Sequence, residues 1–461
     1  MVRYLFVTFW LLMSTCILAQ HNDDDALFIK TIHDHSLTSG KAYDWLYHLS
    51  ETIGGRLAGT AAAAEAVSYT QSVMEGMDAD QVYLQPCTVK EWHRNGSATV
   101  DIVNDNGKIS LTALALGNSV GTSPTGVTAD VVEVKSLDEV HELGRAGIEG
   151  KIVFYNRPMD PTQLRTFNAY GGAVDQRVWG ASTAAQYGGV AAVVRSMTLS
   201  IDDIPHTGTL AYKQDYDKVP GIAISTMDAD MLSDKLSHGS VELYLHTACA
   251  PGAEKQSYNV IGEIKGSTYP DEVILVGGHL DSWDVGGGAH DDGAGCVHSL
   301  QVLQTLTDLK YQPQRTIRCV MFMNEENGLA GAKAYAKASD AAGEYHLAAI
   351  ESDAGGFVPR GFSFDADTSV LKKHYKHVSS WLPLLESYGL QFTTGGSGAD
   401  INPLKSQKGI LVGLRPDSQR YFDYHHTSID RITAVHKREL ELGAAAMTSL
   451  VYLFDKYGLS K

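Results

Sequence analysis

Histidine and carboxylate side chains recur in the C-terminal part of the chain in a combination that predicts a metal centre. Imidazole together with carboxylate suits zinc or a similar first-row dication, whereas carboxylates alone would indicate magnesium or calcium. One carboxylate can bridge two ions about 3.5–4 Å apart, and such a pair can share a hydroxide nucleophile while clamping a scissile carbonyl. The expected chemistry is therefore metal-assisted hydrolysis. The residues concerned are His279 and Asp281, Asp291 and Asp292, Glu325 and Glu326, Asp353, and His425 and His426.

Each of these motifs is weak evidence when it is taken alone. A single histidine after a strand, such as His279, is more often a loop residue than a ligand. Glu325-Glu326 alone is typical of the first turn of a solvated helix, where the helix dipole favours acidic residues. The run Gly286-Gly287-Gly288 lacks a following Gly-Lys-Ser/Thr and indicates a tight turn, not a phosphate-binding loop. The pattern becomes specific because the motifs occur together, after four successive predicted strands.

The elements that must position these residues alternate between strand and helix. Near-continuous apolar strands in such an alternation imply a largely parallel sheet that is covered by helices on both faces. Ligands of such sheets bind beyond the carboxyl ends of the strands, which is where the motifs fall. The predicted strands are 272–278, 315–324, 346–351 and 409–414, and the predicted helices are 293–310, 327–339, 374–388 and 433–457.

The preceding part of the chain has two further patterns. Residues 26–77 are predicted to be rich in helix, with Thr60 capping an alanine-loaded segment, and residues 82–134 show the alternation of short strands. Residues 119–255 have their own rhythm and are a candidate inserted domain. Its predicted elements are strands at 129–134, 151–155 and 190–195, a helix at 180–187 and an apolar run at 219–224.

The segments at the predicted strand ends are Gly278-His279-Leu280-Asp281-Ser282-Trp283-Asp284-Val285-Gly286, Asp291-Asp292-Gly293, Glu325-Glu326, Glu351-Ser352-Asp353-Ala354-Gly355 and His425-His426. Together they resemble the motifs of the secreted co-catalytic zinc peptidases. The resemblance implies an α/β fold of the zinc-exopeptidase type, with a mixed, largely parallel sheet flanked by helices. It also implies a di-zinc catalytic domain at 20–118 and 256–461, and an inserted, mainly β protease-associated (PA) domain at 119–255. Residues 1–19 have the residue pattern of a secretory signal peptide.

The resemblance implies two Zn²⁺ per chain and a role for each residue of the pattern. Asp291 would bridge the two ions, and Glu325 would be the general base. Asp281 would orient the ring of His279 from behind. The implied ligands are His279, Asp291 and Asp353 on one zinc, and Asp291, Glu326 and His426 on the other.

The choice between His425 and His426 also depends on the resemblance. The family places an acidic residue four positions after the histidine ligand, and Asp430 stands four positions after His426. His426 is therefore the predicted ligand. Arg431 departs from the family, in which a Thr commonly follows that acidic residue, so the surroundings of the ligand are expected to differ. Asp292, next to the bridging residue, is expected to be structural and not catalytic.

The sequence leaves the substrate specificity open. An aminopeptidase needs acidic groups for a free α-amine, a carboxypeptidase needs Arg or Lys for the terminal carboxylate, and a dipeptidase needs both. The resemblance favours short peptides with free termini, dipeptides especially. Candidate recognition residues, none of them placed by spacing, are Asp400 in the loop 395–400, Arg360, Arg415, Arg420 and Tyr421.

Three other functions are compatible with parts of the pattern. One is an aminopeptidase that acts on longer peptides. A second is an enzyme similar to glutaminyl cyclase, which shares the fold but uses one zinc; the full ligand set and the large insert argue against it. A third is a receptor built on a catalytically dead scaffold, which would be expected to have lost ligands or the base.

Charge and targeting signals narrow the partners and the location. The 461 residues include 37 Lys+Arg and 54 Asp+Glu, a net charge of −17 that repels nucleic acid and leaves no polybasic surface for a membrane. Residues 1–19 combine one positive charge with an apolar run too short to span a bilayer. We expect a secreted or periplasmic protein with no stable membrane insertion after signal cleavage. A homodimer is an expectation from the resemblance only.

The four cysteines that follow the predicted signal peptide do not indicate a metal-thiolate site. Cys87, Cys249, Cys296 and Cys319 show no CxxC spacing. An exported location permits disulfides between them, but the sequence assigns no pairing.

Overall fold

Two eight-stranded sheets organise the chain, which is described here from a computed structural model covering residues 23–104 and 107–459. The predicted signal peptide at 1–19 lies outside the described residues. Within those ranges no helix combines the length and the apolar character needed to cross a membrane. The four cysteines Cys87, Cys249, Cys296 and Cys319 are buried and unpaired.

The strands follow one another along the chain as β1 (Gln81–His93), β2 (Thr99–Asn104), β3 (Gly107–Leu111), β4 (Ala113–Ala115), β5 (Val127–Val134), β6 (Ile152–Tyr155), β7 (Ala191–Arg195), β8 (Gly221–Ile224), β9 (Glu242–His246), β10 (Ala250–Ile264), β11 (Tyr269–His279), β12 (Arg315–Phe322), β13 (Tyr345–Glu351), β14 (Pro359–Asp365), β15 (Gln391–Thr394) and β16 (Ile410–Pro416).

The helices are α1 (23–39), α2 (Ala42–Tyr47), α3 (Ala61–Glu75), α4 (Leu137–Ile148), α5 (Thr166–Gly171), α6 (Asp175–Gln186), α7 (Thr226–His238), α8 (Ala294–Asp308), α9 (Ala330–Ala342), α10 (Thr368–Ser379), α11 (Leu382–Leu385), α12 (Tyr421–Tyr424) and α13 (Lys437–Tyr457). Short π-helical turns cover His48–Ile53 and Ala289–Gly293, and 3₁₀ turns cover Glu386–Tyr388, Asn402–Gln407 and Ile432–Ala434.

The first sheet, in the order β1-β10-β12-β11-β13-β16-β14-β15, confirms the predicted mixed α/β architecture. Its central strands β12, β11, β13 and β16 are parallel, while β10 and β14 pair with this centre in the antiparallel direction. Alternate residues of β11 face opposite helical layers. Ile274 and Val276 lie in the cluster with residues of α8 and α13, and Leu275 lies in the cluster with residues of α9. Burial on both faces explains why residues 273–278 of the strand are all apolar.

The second sheet (β2–β9) has the order β3-β2-β9-β5-β6-β7-β8-β4. Its strands β5, β6 and β7 lie where the sequence predicts strands, and β5 to β8 run parallel. The sheet also takes in β2, β3 and β4, which precede residue 119. The division of the chain at 119 and 255, and the identification of the insert as a PA domain, stay predictions.

A long antiparallel ladder at one edge of the first sheet leads the chain into the second sheet and back. Strands β1 and β10 pair from Gln81 with Glu263 to His93 with Ala250, with a register shift between Lys90 and Trp92. The chain leaves the first sheet along β1, builds the second sheet, and returns along β10.

One predicted helix is divided in the structure. Instead of a single helix over 374–388, α10 begins at Thr368 and ends at Ser379, and α11 and a 3₁₀ turn follow. Pro383 lies in the first turn of α11 and has no N–H to donate to the carbonyl of Ser379, so one continuous helix is disfavoured. The last helix begins at Lys437, four residues later than predicted.

Candidate metal centre

The predicted ligands meet at the carboxyl ends of adjacent parallel strands. His279 is the last residue of β11, Glu325 and Glu326 follow β12, and Asp353 follows β13. Asp291 lies in the π-helical turn that precedes α8. The remaining predicted ligand, His426, arrives from the loop after α12.

Asp291 lies between two histidines. Its Oδ1 is 3.3 Å from Nε2 of His279, and its Oδ2 is 3.1 Å from Nε2 of His426. His279 is also 3.7 Å from Oδ1 of Asp353, and His426 is 3.1 Å from Oε2 of Glu326. The five residues therefore form two groups that share one carboxylate, the arrangement expected when a carboxylate bridges two metal ions.

These distances fit zinc. Two ligand atoms about 2.0–2.2 Å from one tetrahedral ion lie about 3.3–3.6 Å apart, close to the four separations found here. Geometrically feasible metal-binding groups within the described residues include His279, Asp291 and Glu326 as one set, and Asp291 with His425 and His426 as another. Oδ2 of Asp291 and Oε1 of Glu326 are buried and accept no hydrogen bond from the described residues. Such acceptors call for a cation.

The electrostatics of the group agree with this interpretation. Burial first, and then the neighbouring Asp291, raises the pKa of Glu326 to about 7. Burial would lower the pKa of His426, but the carboxylates of Glu326 and Asp291 raise it to about 9. The site thus holds more negative charge than its own histidines balance, which is the environment that bound cations stabilise.

His425 and His426 both reach the centre. Their rings stack with centroids 3.5 Å apart. Nε2 of His425 is 3.7 Å from Oδ2 of Asp291, farther than Nε2 of His426 at 3.1 Å. Among the described residues, only His426 of this pair is within ion-pair distance of Glu326. The geometry favours His426 as the ligand, with His425 stacked against it in the lining of the same cleft.

Asp281 contacts the ring of His279 through its main-chain oxygen and not through its carboxylate. Nδ1 of His279 lies 2.9 Å from the main-chain oxygen of Asp281, whereas the carboxylate oxygen Oδ1 is 3.9 Å away. That oxygen accepts hydrogen bonds from the main-chain N–H groups of Asn324 and Glu325, at 2.6 and 3.0 Å. The carboxylate of Asp281 therefore holds the backbone of the predicted base, and its carbonyl orients the histidine.

Asp292 and Asp430 hold main chain at the centre. Asp292 accepts hydrogen bonds from the N–H groups of His279 and Gly295, at 3.0 Å each. Asp430 accepts from the N–H groups of His290 and Asp291, at 2.7 and 3.1 Å. The acidic residue four positions after His426 thus fixes the backbone of the bridging ligand.

A fully buried arginine fixes the glycine-rich loop in front of Asp291. Arg56 donates to the main-chain oxygens of Leu280, Gly287 and Gly288, at 2.5, 2.7 and 3.0 Å. Sequence reasoning missed it because it lies more than 200 residues from its partners and belongs to no recognisable motif.

We expect Arg56→Met to lower the free energy of unfolding by about 3 kcal/mol or more, because three buried carbonyls lose a hydrogen bond at once and, among the described residues, only that of Gly288 keeps another donor, the N–H of Gly293. Urea unfolding followed by circular dichroism measures this loss. Arg360→Met is the control, since Arg360 forms an exposed ion pair with Asp417 and should cost less than about 1 kcal/mol. Equal losses in the two variants would contradict the role of Arg56.

Four of the five predicted ligands, all except His279, line a cleft of about 850 Å³ between the two sheets. Of the residues proposed for substrate recognition, Tyr421 lines this cleft, whereas Asp400, Arg360, Arg415 and Arg420 do not. Asp400 is buried, and Arg415 donates to Ser363 and to the carbonyl of Gly396.

Arg177 of α6 lines the cleft and is the cation that sequence reasoning missed. Its side chain is buried, and Nε and Nη1 have no hydrogen-bond partner among the described residues. A Cβ built on Gly208 would lie 2.4 Å from Nη1 of Arg177 and 2.7 Å from Nδ1 of His426, so the guanidinium is adjacent to the metal centre. Tyr170 packs against this guanidinium, and Cζ of Arg177 lies 5.5 Å from the centroid of the tyrosine ring.

Comparison with known proteins identifies the family. The model of peptidase family M28 matches residues 259–451, from β10 to α13. Carboxypeptidase Q of Bos taurus is 34% identical over 438 residues, which cover 94% of this chain and 89% of the bovine protein. The chain belongs to peptidase family M28. Among the co-catalytic zinc peptidases, the sequence motifs most resemble those of carboxypeptidase Q, also called plasma glutamate carboxypeptidase, and the comparison confirms this resemblance.

Solved structures agree with the M28 assignment. A peptidase M28 precursor from Shewanella amazonensis SB2B is 31% identical and has a TM-score of 0.89, covering 95% of this chain and 99% of that chain. BSAP, a zinc aminopeptidase from Bacillus subtilis, has a TM-score of 0.65 at 20% identity, covering 90% of this chain and 95% of that one. At 20% identity, the comparison with BSAP supports only the fold.

Proposed function

We propose that this M28 peptidase is a secreted zinc exopeptidase that hydrolyses short peptides with free termini, dipeptides in particular. The observation that carries the proposal is the position of Asp291, whose two oxygens face two different histidines at the bottom of the cleft. Zinc held there would supply Lewis-acid chemistry, lowering the pKa of a bound water and polarising the scissile carbonyl. His279, Asp291 and Asp353 would hold one zinc, and Asp291, Glu326 and His426 the other.

Glu325 is the proposed general base. It lines the cleft beside the ligands, and the carboxylate of Asp281 holds its N–H. Burial raises the pKa of Glu325 well above its usual value, although the neighbouring His279 opposes the rise. A carboxylate with a raised pKa can accept a proton from the attacking water and return it to the leaving amine.

Arg177 is the proposed recognition group for the free carboxylate of the substrate. A buried guanidinium without a carboxylate partner is unfavourable unless a ligand supplies the missing charge. Arg is the residue best shaped to bind a carboxylate through two hydrogen bonds. Its place beside His426 limits the distance between the scissile bond and the terminal carboxylate, which is why we favour dipeptides over long chains.

We expect Arg177→Met to lower kcat/KM for an unblocked dipeptide about 100-fold, because one buried charge-assisted pair is lost. The same dipeptide with a C-terminal amide should be hydrolysed equally by the variant and by the wild-type enzyme. Steady-state kinetics on this substrate pair measure the effect. An equal loss on both substrates would contradict a role in binding the carboxylate.

Elemental analysis combined with a peptide panel tests the function as a whole. Two zinc ions per chain and cleavage of unblocked dipeptides support the proposal. Cleavage of long peptides at a free amino end, regardless of the carboxyl end, would instead indicate the aminopeptidase alternative. One zinc and cyclisation of N-terminal Gln would indicate the cyclase, and absence of turnover in the zinc-loaded protein would indicate a receptor. Secretion and a homodimer are separate predictions from the sequence.

A further inference from the structure

A loop of the second sheet, residues 206–209, contacts the histidine proposed as a ligand of the second zinc. The N–H of Thr207 donates to the main-chain oxygen of His426 at 3.0 Å. Nδ1 of the His426 ring lies 3.3 Å from the main-chain oxygen of Thr207. The two residues are 219 positions apart in sequence, so this contact exists only when the second sheet lies against the first.

The second of these contacts determines which ring nitrogen carries the proton. A carbonyl oxygen can only accept, so Nδ1 of His426 must be the donor. Nε2 then keeps its lone pair and points at Asp291 and Glu326, at 3.1 Å from each. Hydrogen bonds of this kind orient histidine ligands and raise their basicity.

The loop is held tightly against the ring. Gly208 has a φ of +132°, and a Cβ at this position would lie 2.7 Å from Nδ1 of His426, so only glycine lets the loop come this close. The Thr207 hydroxyl donates to the carbonyl of Ala115 at 2.9 Å. Arg94 reaches the same hydroxyl at 3.4 Å while it binds Asp284, in the loop after β11.

The two histidines of the centre are therefore supported from different places. The carbonyl that orients His279 belongs to Asp281, two residues away on the same loop. The carbonyl that orients His426 belongs to the second sheet. Of the two histidine rings, it is therefore that of His426 which the second sheet contacts through a main-chain carbonyl.

We propose that Thr207 is a positioning residue of the metal centre: through its carbonyl, the second sheet sets the affinity of the zinc position formed by Glu326 and His426. The proposal rests on the proposed two-zinc function. It gives the second sheet a part in assembling the catalytic centre, in addition to forming a wall of the cleft.

Zinc affinity of Gly208→Ala tests the proposal, with Gly107→Ala as the matched control. Gly107 is also in the second sheet, has a φ of +126°, and has no atom within 4 Å of a Cβ placed on it. Both glycines have a positive φ, but only a Cβ at 208 meets side chains, at 2.4 Å from Nη1 of Arg177 and 2.7 Å from Nδ1 of His426. Alanine at 208 must therefore displace the loop from these two groups. Competition with a chelator under equilibrium conditions gives both zinc affinities. Elemental analysis after dialysis gives the stoichiometry.

We expect Gly208→Ala to bind one zinc as the wild-type enzyme does and the other about 10–100-fold more weakly. Gly107→Ala should bind both with unchanged affinity. Unchanged affinities in Gly208→Ala, or an equal loss at both positions, would overturn the proposal. A wild-type enzyme that binds fewer than two zinc ions would instead refute the proposed function on which it depends.

A second pair of variants covers the case in which Gly208→Ala does not fold. Thr207→Val removes the hydroxyl contacts that anchor the carbonyl, whereas Thr209→Val removes a hydroxyl that contacts Asn118 and not His426. Weaker binding at a single zinc position in Thr207→Val only supports the proposal. Identical affinities in the two valine variants would overturn it.

Discussion

The Glu325→Gln enzyme is expected to keep two zinc ions and to lose about a thousandfold in kcat. The substitution keeps the size of the side chain and removes its capacity to accept a proton, which is worth about 10²–10⁴ in rate for a general base. The N–H of residue 325 still reaches the carboxylate of Asp281, so the position of the side chain is preserved. Single-turnover kinetics and elemental analysis on the same preparation measure the two quantities.

Glu91→Gln is the control for Glu325→Gln. Glu91 lines the same cleft but forms an ion pair with Lys255, away from the metal-binding residues. Its amide variant should turn over dipeptides within a few-fold of the wild-type rate. Near-normal hydrolysis by zinc-loaded Glu325→Gln would show that another group takes the proton, and loss of zinc from that variant would make Glu325 a ligand.

His426→Gln is expected to lose one zinc and at least 100-fold in kcat, while His425→Gln keeps both ions and most of its activity. Nε2 of His426 is 3.1 Å from both Asp291 and Glu326, and its other nitrogen is held by the carbonyl of Thr207. His425 is 3.7 Å from Asp291, and its Nδ1 has no hydrogen-bond partner among the described residues. The imidazole of His426 is both closer to the carboxylates and oriented by a hydrogen bond, as the histidine ligands of first-row metals are.

The two histidine variants serve as controls for each other, because the rings are stacked and both substitutions disturb the same packing. Elemental analysis after dialysis, followed by dipeptide hydrolysis, separates them. Loss of zinc from His425→Gln with retention in His426→Gln would move the ligand one position back along the chain.

The central strands and the convergence of the motifs that follow them could be predicted because the signal is local. The strands β11, β12, β13 and β16 are long apolar runs, and parallel strands bring their carboxyl ends to the same edge. Once those runs are recognised, residues 279, 325–326 and 353 must converge. The position of Asp291 also follows from its place in the loop after the first of these strands.

The supports of the centre could not be predicted, for three physical reasons. Thr207 acts through a main-chain oxygen, which every residue carries, so no residue type marks it. Arg56 and Arg177 reach the centre across more than 200 residues, and nothing in the sequence fixes how the second sheet docks. In the case of Asp281, the residue was identified and its effect on His279 expected, but the sequence does not say which of its oxygens the ring meets.

The β1–β10 ladder has a bearing on how this molecule could have been assembled. His93 and Ala250 are direct partners at the end of the ladder, and the whole second sheet lies between them in sequence. A short turn joining the two strands would close the first sheet with all five proposed zinc ligands and Glu325 still present. Such a minimal enzyme would lack Arg177 and the carbonyl of Thr207. The second sheet is thus a topological module that a single insertion between two paired strands can add, and the roles proposed for Arg177 and Thr207 would make the centre depend on that insertion.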